Sequence, residues 1–149
     1  MGFQVEGSLP LKGVIPSFNP MSHLLFKSSG NLRAAEVMKT TKDFCHSSVH
    51  CSYYACFQLA KHILCNVVNP PVSLPTDRTV HNVISLKLFH DVGKKDRNLA
   101  DYINNNYSQL HTFRKQSDYE DVEVTQDQAN KAYAMAERMC KGLKSNYGI

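Results

Sequence analysis

Apolar residues recur every three or four positions through most of the chain, which is the spacing of helices with one buried face. No segment alternates apolar and polar residues over the length of a strand. The predicted fold is therefore all-α, an up-and-down bundle of four to five helices. The pattern places these helices from Ser22 to about Lys42, from about His46 to Val68, from a cap at Thr76 or Asp77 to about Val92, from about Arg97 to Ser117, and from Thr125 to near Gly148.

The second predicted helix carries the widest apolar stripe and is expected at the centre of the bundle. Its apolar residues are Val49, Tyr53, Cys56, Phe57, Ala60, Ile63, Leu64 and Val67. Pro70 and Pro71 should end this helix, because proline cannot continue the backbone hydrogen bonds. Thr125 and Gln128 have the spacing of a capping box at the start of the last helix.

The first 19 residues do not share the helical pattern. Gly7, Pro10, Gly13 and Pro16 interrupt them, so we predict an irregular arm over residues 1–19 and one domain over residues 20–149. The same interruptions leave no apolar run long enough for a signal peptide or a membrane helix. We therefore expect no membrane association.

Composition narrows the class of protein. The 149 residues, 42% of them apolar and 20% charged, are typical of one globular domain. The net charge of +4 permits contact with phosphate but is too small to indicate a dedicated nucleic-acid protein. An odd number of cysteines, five, favours reduced thiols over a disulfide framework and predicts a cytoplasmic location.

The segment CHSSVHC, residues 45–51, has the residue types of a zinc site. His46 and His50 lie one turn apart, but Cys45 and Cys51 fall on opposite flanks of the helix, about 120° apart. A four-ligand shell would require the helix to unwind. Two interpretations of the segment stay open: a metal site in which His46 and His50 are joined by ligands from elsewhere in the chain, and an ordinary helix start. We predict no metal and no cofactor.

Arg114 lies at the edge of the apolar stripe of the fourth predicted helix. Successive residues of a helix are rotated by about 100° around its axis, and this rotation places a second, polar stripe beside the apolar one. We expect this stripe to face a groove, since a half-buried guanidinium needs a partner. That partner could be a tyrosine hydroxyl of the second helix, or Asp118 one turn away in a simple ion pair at the domain edge. The polar stripe comprises Tyr107, His111, Arg114 and Asp118.

Several segments together resemble HEPN domains, small helical proteins often encoded beside minimal nucleotidyltransferases. The segments are SYYACFQLAKHIL (residues 52–64), His81 at the start of the third helix, FRKQSDYED (residues 113–121) and TQDQANKAYAMAERM (residues 125–139). Their order and spacing are similar to those of the family over about residues 22–145. The nearest pattern is the branch with a Tyr-Tyr-Ala helix and an arginine followed, after four residues, by a tyrosine.

The resemblance implies a homodimer in which two copies of Arg114 line one cleft that binds nucleotide or RNA phosphate. It also implies a nucleotidyltransferase-type partner protein within a toxin–antitoxin or defence-like system. The residues expected to bind nucleotide or RNA are Arg114, Lys115, Tyr107, Asp118, Tyr53, Tyr54 and His81.

The ribonuclease motif of the family is incomplete in this chain. In active HEPN ribonucleases, four to six residues separate the arginine from a histidine, and here no histidine but Tyr119 stands in that window. Catalytic candidates are therefore Arg114, Tyr119 and His111, with His81 as a further possible substitute. The tyrosine that a partner enzyme modifies in family toxins corresponds to Asp121. Two alternatives stay open: an active metal-independent endoribonuclease, and a catalytically inert structural dimer or adaptor.

Overall fold

The computed structural model describes residues 22–149, and all regular structure within them is helical. The predicted all-α fold is confirmed, whereas the predicted arm lies outside the described residues. A 3₁₀ turn, Lys42–Phe44, precedes the second helix, and a π turn, Ile63–Val67, follows it. The helices are α1 (His23–Met38), α2 (Cys45–His62), α3 (Val80–Gly93), α4 (Arg97–Tyr119) and α5 (Gln126–Tyr147).

Helix α2 is the centre of the bundle and contacts the other four helices. Its side chains Tyr53, Leu59 and Ala60 are completely buried. Helix α5, which packs against α2, contributes a buried stripe at the predicted spacing: Ala129, Ala132, Ala136, Met139 and Leu143. Three of these five are alanines, whose small side chains leave room for α5 beside α2. The predicted central position of the second helix is thus confirmed.

Several helix boundaries differ from the predicted ones. α1 ends at Met38 rather than near Lys42, just before the β-branched pair Thr40-Thr41, which restricts helical rotamers. The α-helical part of α2 ends at His62, and the chain widens into the π turn before Pro70. α4 continues through Tyr119, two residues beyond the predicted end. Its last turn therefore presents side chains that the sequence pattern had assigned to a connector.

The start of α3 was predicted too early. The helix begins at Val80, so neither Thr76 nor Asp77 is its cap. The Asp77 carboxylate instead accepts hydrogen bonds from the backbone N–H of Thr79, at 2.8 Å, and from the Thr79 hydroxyl. These bonds hold a turn that contains Arg78 directly before α3. Aspartate often stabilises such turns through its side chain, which competes with capping.

The ends of α5 agree with the sequence. The Thr125 hydroxyl accepts from the backbone N–H of Gln128, and the Gln128 side chain accepts from the backbone N–H of Thr125, which completes the predicted capping box. Gly148 ends the helix in the left-handed conformation, with φ of 67°. Glycine adopts this conformation without the steric cost that other residues meet there.

Candidate functional site

A groove of about 750 Å³ opens between the start of α3 and the C-terminal half of α4. Three permanent cations line it, and none of the lining residues in the part of the chain that the structure describes is acidic. Four more of its lining residues carry aromatic rings. Among the described residues, the groove is lined by Tyr54, Arg78, Thr79, His81, Asn82, His111, Arg114, Lys115 and Tyr119.

Arg114 is the buried cation of this groove, with only 5% of its surface exposed. Its Nη1 lies 3.4 Å from the Tyr119 hydroxyl and 3.7 Å from Asp118 Oδ2, and both contacts are long. Its buried Nε has no hydrogen-bond partner within residues 22–149. A buried cation with such weak pairing retains much of its capacity to bind an anion.

The tyrosines of α2 contact Arg114 differently from what the sequence suggested. The guanidinium carbon lies 5.3 Å from the ring centre of Tyr53 and 5.4 Å from that of Tyr54. The contact is therefore with the ring faces, as in cation–π pairs, and not with the hydroxyl groups. This arrangement shields the cation from water, while the N–H groups of the guanidinium have no strong partner among residues 22–149.

Asp118 is bound mainly by a histidine from another helix. His50 Nδ1 on α2 lies 2.9 Å from Asp118 Oδ2, closer than Nη1 of Arg114. Next to it, the Ser117 hydroxyl donates to the carbonyl oxygen of His46 at 2.8 Å. These contacts fasten the end of α4 to the start of α2. Asp118 lies outside the groove lining, and its predicted role in binding stays a prediction.

Two stacked imidazoles form part of the groove wall. The rings of His81 on α3 and His111 on α4 lie 5.1 Å apart and 19° from parallel. Burial, followed by the positive charge of Arg114, lowers the pKa of His81. Burial, followed by His81, Arg114 and Lys115, lowers the pKa of His111 to about 4. Both imidazoles are therefore neutral at pH 7, and the charge of the groove comes from its arginines and its lysine.

Tyr53 and Tyr107 lie behind the groove wall. Tyr107 is 2% exposed, and its hydroxyl is 3.4 Å from the hydroxyl of the completely buried Tyr53. The Tyr53 hydroxyl is also hydrogen-bonded to Nδ1 of His81. Burial raises the pKa of both phenols, so both keep their protons. Neither phenol lines the groove, and each can influence a ligand only through the residues that do.

The structure thus brings together six of the predicted site residues in one groove lining: Tyr54, His81, His111, Arg114, Lys115 and Tyr119. The sequence analysis missed Arg78, Thr79 and Asn82, which also line it. A signal was present, since an arginine three residues before His81 and an asparagine directly after it carry suitable donors. Only the packing of α3 against α4 shows that this turn faces Arg114.

Within residues 22–149, no group of three or more His, Cys, Asp or Glu side chains is placed to hold a metal ion. In particular, Nδ1 of His50 is engaged with Asp118. In the same part of the chain, none of the helices combines the length and apolarity required to cross a bilayer.

The low pKa of His111 predicts a loss of stability in mild acid. An unfolded histidine has a pKa near 6.5, well above the pKa of about 4 of His111 in the folded chain. As the pH falls through this window, the unfolded chain binds a proton that the folded chain refuses, so the free energy of unfolding decreases. We expect urea unfolding from pH 7 to pH 4.5 to show a smaller decrease in His111→Gln than in wild type. His90→Gln, an exposed histidine outside the groove, is the control and should keep the wild-type slope.

The comparison with protein families agrees with the observed helical fold. The model of the HEPN domain family matches residues 21–146, which is most of the chain. Neither the comparison with curated proteins nor the comparison with solved structures gave a match. The matched range includes α1 to α4, all of α5 except its last residue, and every described residue of the groove. The chain therefore belongs to the HEPN domain family.

Proposed function

We propose that this chain forms a homodimer that binds a nucleotide, or the phosphate backbone of RNA, in the Arg114 groove. The proposal includes a nucleotidyltransferase-type partner protein, a role in a toxin–antitoxin or defence-like system, and a cytoplasmic location. One observation carries the binding part: a groove whose described lining combines three cations with four aromatic rings and contains no carboxylate.

The cations account for the affinity for phosphate. A guanidinium offers several N–H donors in a fixed plane that matches the oxygens of a phosphate group. Arg114 is held in place by burial, whereas Arg78 and Lys115 are exposed and can adjust to the ligand. Among residues 22–149, the carboxylate that forms an ion pair with Arg114 is that of Asp118, and it is engaged by His50. An anion therefore meets little competition within the groove.

The aromatic rings are the reason why we propose a nucleotide or RNA, and not an inorganic anion, as the ligand. Bases stack on tyrosine and histidine rings with little dependence on their sequence. Tyr119 is 77% exposed at the end of α4, where its ring lies 5.6 Å from the guanidinium carbon of Arg114. A base on Tyr119 would place its phosphate near Arg114. The homodimer itself is supported by membership of the family and by the exposed apolar side chains near this end, Tyr119 and Val122.

The binding test uses a fluorescent single-stranded RNA in EDTA at several salt concentrations, with unlabelled ATP as competitor. We expect the logarithm of the binding constant to fall linearly with the logarithm of the salt concentration, with a slope of about −0.7 for each phosphate contact. Arg78→Ala should weaken binding and reduce the slope by about one contact. Arg33→Ala removes an exposed arginine of α1 outside the groove and should have only a small effect. Equal losses in both variants, or no binding by wild type, would contradict the proposal.

Endoribonuclease activity is the second candidate function. The neutral imidazole of His111 lies in the groove with Arg114 and could accept the proton of a ribose 2′-hydroxyl, while Arg114 stabilises the phosphate. The same RNA samples, separated on a denaturing gel, test this function. Cleavage in EDTA that disappears in His111→Ala would establish the enzyme. Intact RNA together with salt-dependent binding would leave the binding protein as the better description.

A further inference from the structure

A chain of three hydrogen-bonded side chains runs from the core to the wall of the groove. The hydroxyl of Tyr107 on α4 lies 3.4 Å from that of Tyr53 on α2. The Tyr53 hydroxyl is in turn hydrogen-bonded to Nδ1 of His81 on α3. Both tyrosines are buried, and of the three residues His81 lines the groove. The core is therefore connected to one ring nitrogen of a groove residue.

The available protons decide the direction of these hydrogen bonds. If Tyr107 donates to Tyr53 and Tyr53 donates to His81, both hydroxyl protons are used. If His81 donated from Nδ1, Tyr53 would donate to Tyr107, whose own proton would have no acceptor among the described residues. A buried donor without an acceptor is costly, and an oxygen that accepts no bond costs less. The first direction is favoured, and it makes Nδ1 of His81 an acceptor.

The groups around His81 favour its neutral form. Arg114 and His111 face it from α4, Tyr53 faces it from α2, and Arg78 lines the same groove from the preceding turn. The two arginines are positive, and the remaining two neighbours carry no negative charge at neutral pH. A neutral imidazole holds one proton. When Nδ1 accepts from Tyr53, that proton is on Nε2.

We propose that Tyr53 and Tyr107 are positioning residues that hold His81 in the Nε2–H tautomer, which gives the groove an uncharged hydrogen-bond donor. This inference rests on the proposed function, because the donor adds affinity only when a phosphate or base oxygen binds beside it. It assigns His81 to ligand binding, since the nitrogen that faces away from Tyr53 already carries a proton. If the chain cleaves RNA, the proton acceptor is then His111 and not His81.

The tautomer can be measured directly in the ligand-free protein by long-range ¹H–¹⁵N NMR of histidine-labelled samples at neutral pH. We expect His81 to show an unprotonated Nδ1 and a protonated Nε2. Tyr53→Phe removes the donor with little change in volume, and it should shift His81 toward a mixture of both tautomers. Tyr107→Phe should shift it less, because Tyr53 can still donate. Tyr54→Phe is the matched control, since the Tyr54 hydroxyl has no hydrogen bond to His81 among the described residues.

A protonated Nδ1 in wild type, or a His81 signal that is unchanged in Tyr53→Phe, would overturn the inference. If Tyr53→Phe does not fold, the wild-type spectrum and the Tyr107→Phe spectrum still test the assigned tautomer. The binding assay adds a second readout, in which Tyr53→Phe should weaken ATP or RNA affinity by no more than about twofold, because a mixture of tautomers keeps the Nε2–H form partly populated. The tautomer is measured without ligand. A wild-type protein with the expected spectrum but no affinity for ATP or RNA would therefore refute the proposed function and leave the tautomer assignment intact.

Discussion

Substitution of Arg114 by alanine is expected to weaken binding of single-stranded RNA or ATP by about 10- to 100-fold, the effect of losing hydrogen bonds to a charged group. The physical reason is that Arg114 is only 5% exposed and that its contacts within residues 22–149 are two long polar contacts, with no partner for Nε there. A phosphate oxygen would supply the strong partners that the described residues do not. Fluorescence anisotropy at constant salt measures the change.

Arg114→Lys separates the charge of Arg114 from its geometry. Lysine keeps the positive charge but loses the planar donor arrangement, so we expect an affinity between those of wild type and Arg114→Ala. Thermal unfolding should be followed on the same samples. An unchanged affinity in Arg114→Ala together with a large loss of thermal stability would favour the structural adaptor. In that case the contacts of Arg114 with Tyr119 and Asp118 would be its main role.

Leu59→Ala is expected to lower the free energy of unfolding by about 2–5 kcal/mol, the usual cost of a cavity in a packed core. Leu59 is completely buried in α2, the helix that contacts all the others, so few neighbours can move to fill the space. Urea unfolding followed by circular dichroism measures the loss.

Leu86→Ala provides the matched control for this substitution. Leu86 lies on α3 and is 57% exposed, so the same chemical change should alter stability by no more than about 0.5 kcal/mol. Similar losses in the two variants would contradict the central position of α2. The pair therefore tests the packing of the bundle independently of any ligand.

The site depends on this packing because its parts come from three helices. Arg114 and His111 lie on α4, Tyr54 on α2, and His81 at the start of α3. The guanidinium stays poorly paired because His50 on α2 binds Asp118 more closely. The i, i+4 pair of Arg114 and Asp118 considered from the sequence does exist, but at 3.7 Å it is a weak competitor for an anion.

The presence of the five helices and most of their buried faces follow from sequence alone, whereas several helix ends, such as the start of α3, do not. Spacing of apolar residues identified α2 and its central position, and the Thr125 capping box fixed the start of α5. These signals are local, because a helical face repeats every 3.6 residues and a cap joins residues three positions apart. The family followed from the same segments in the same order.

Which side chains meet in the groove depends on how the helices pack against one another. On α4, the helical angle placed Tyr107 in the same polar stripe as His111, yet the packing of α2 buries Tyr107 and leaves His111 in the groove. Asp118 meets His50 across 68 positions of sequence, and the turn with Arg78 reaches Arg114 through the pairing of α3 with α4. Periodicity gives the face of a helix but not its neighbour, because contacts between helices depend on how their side chains interlock.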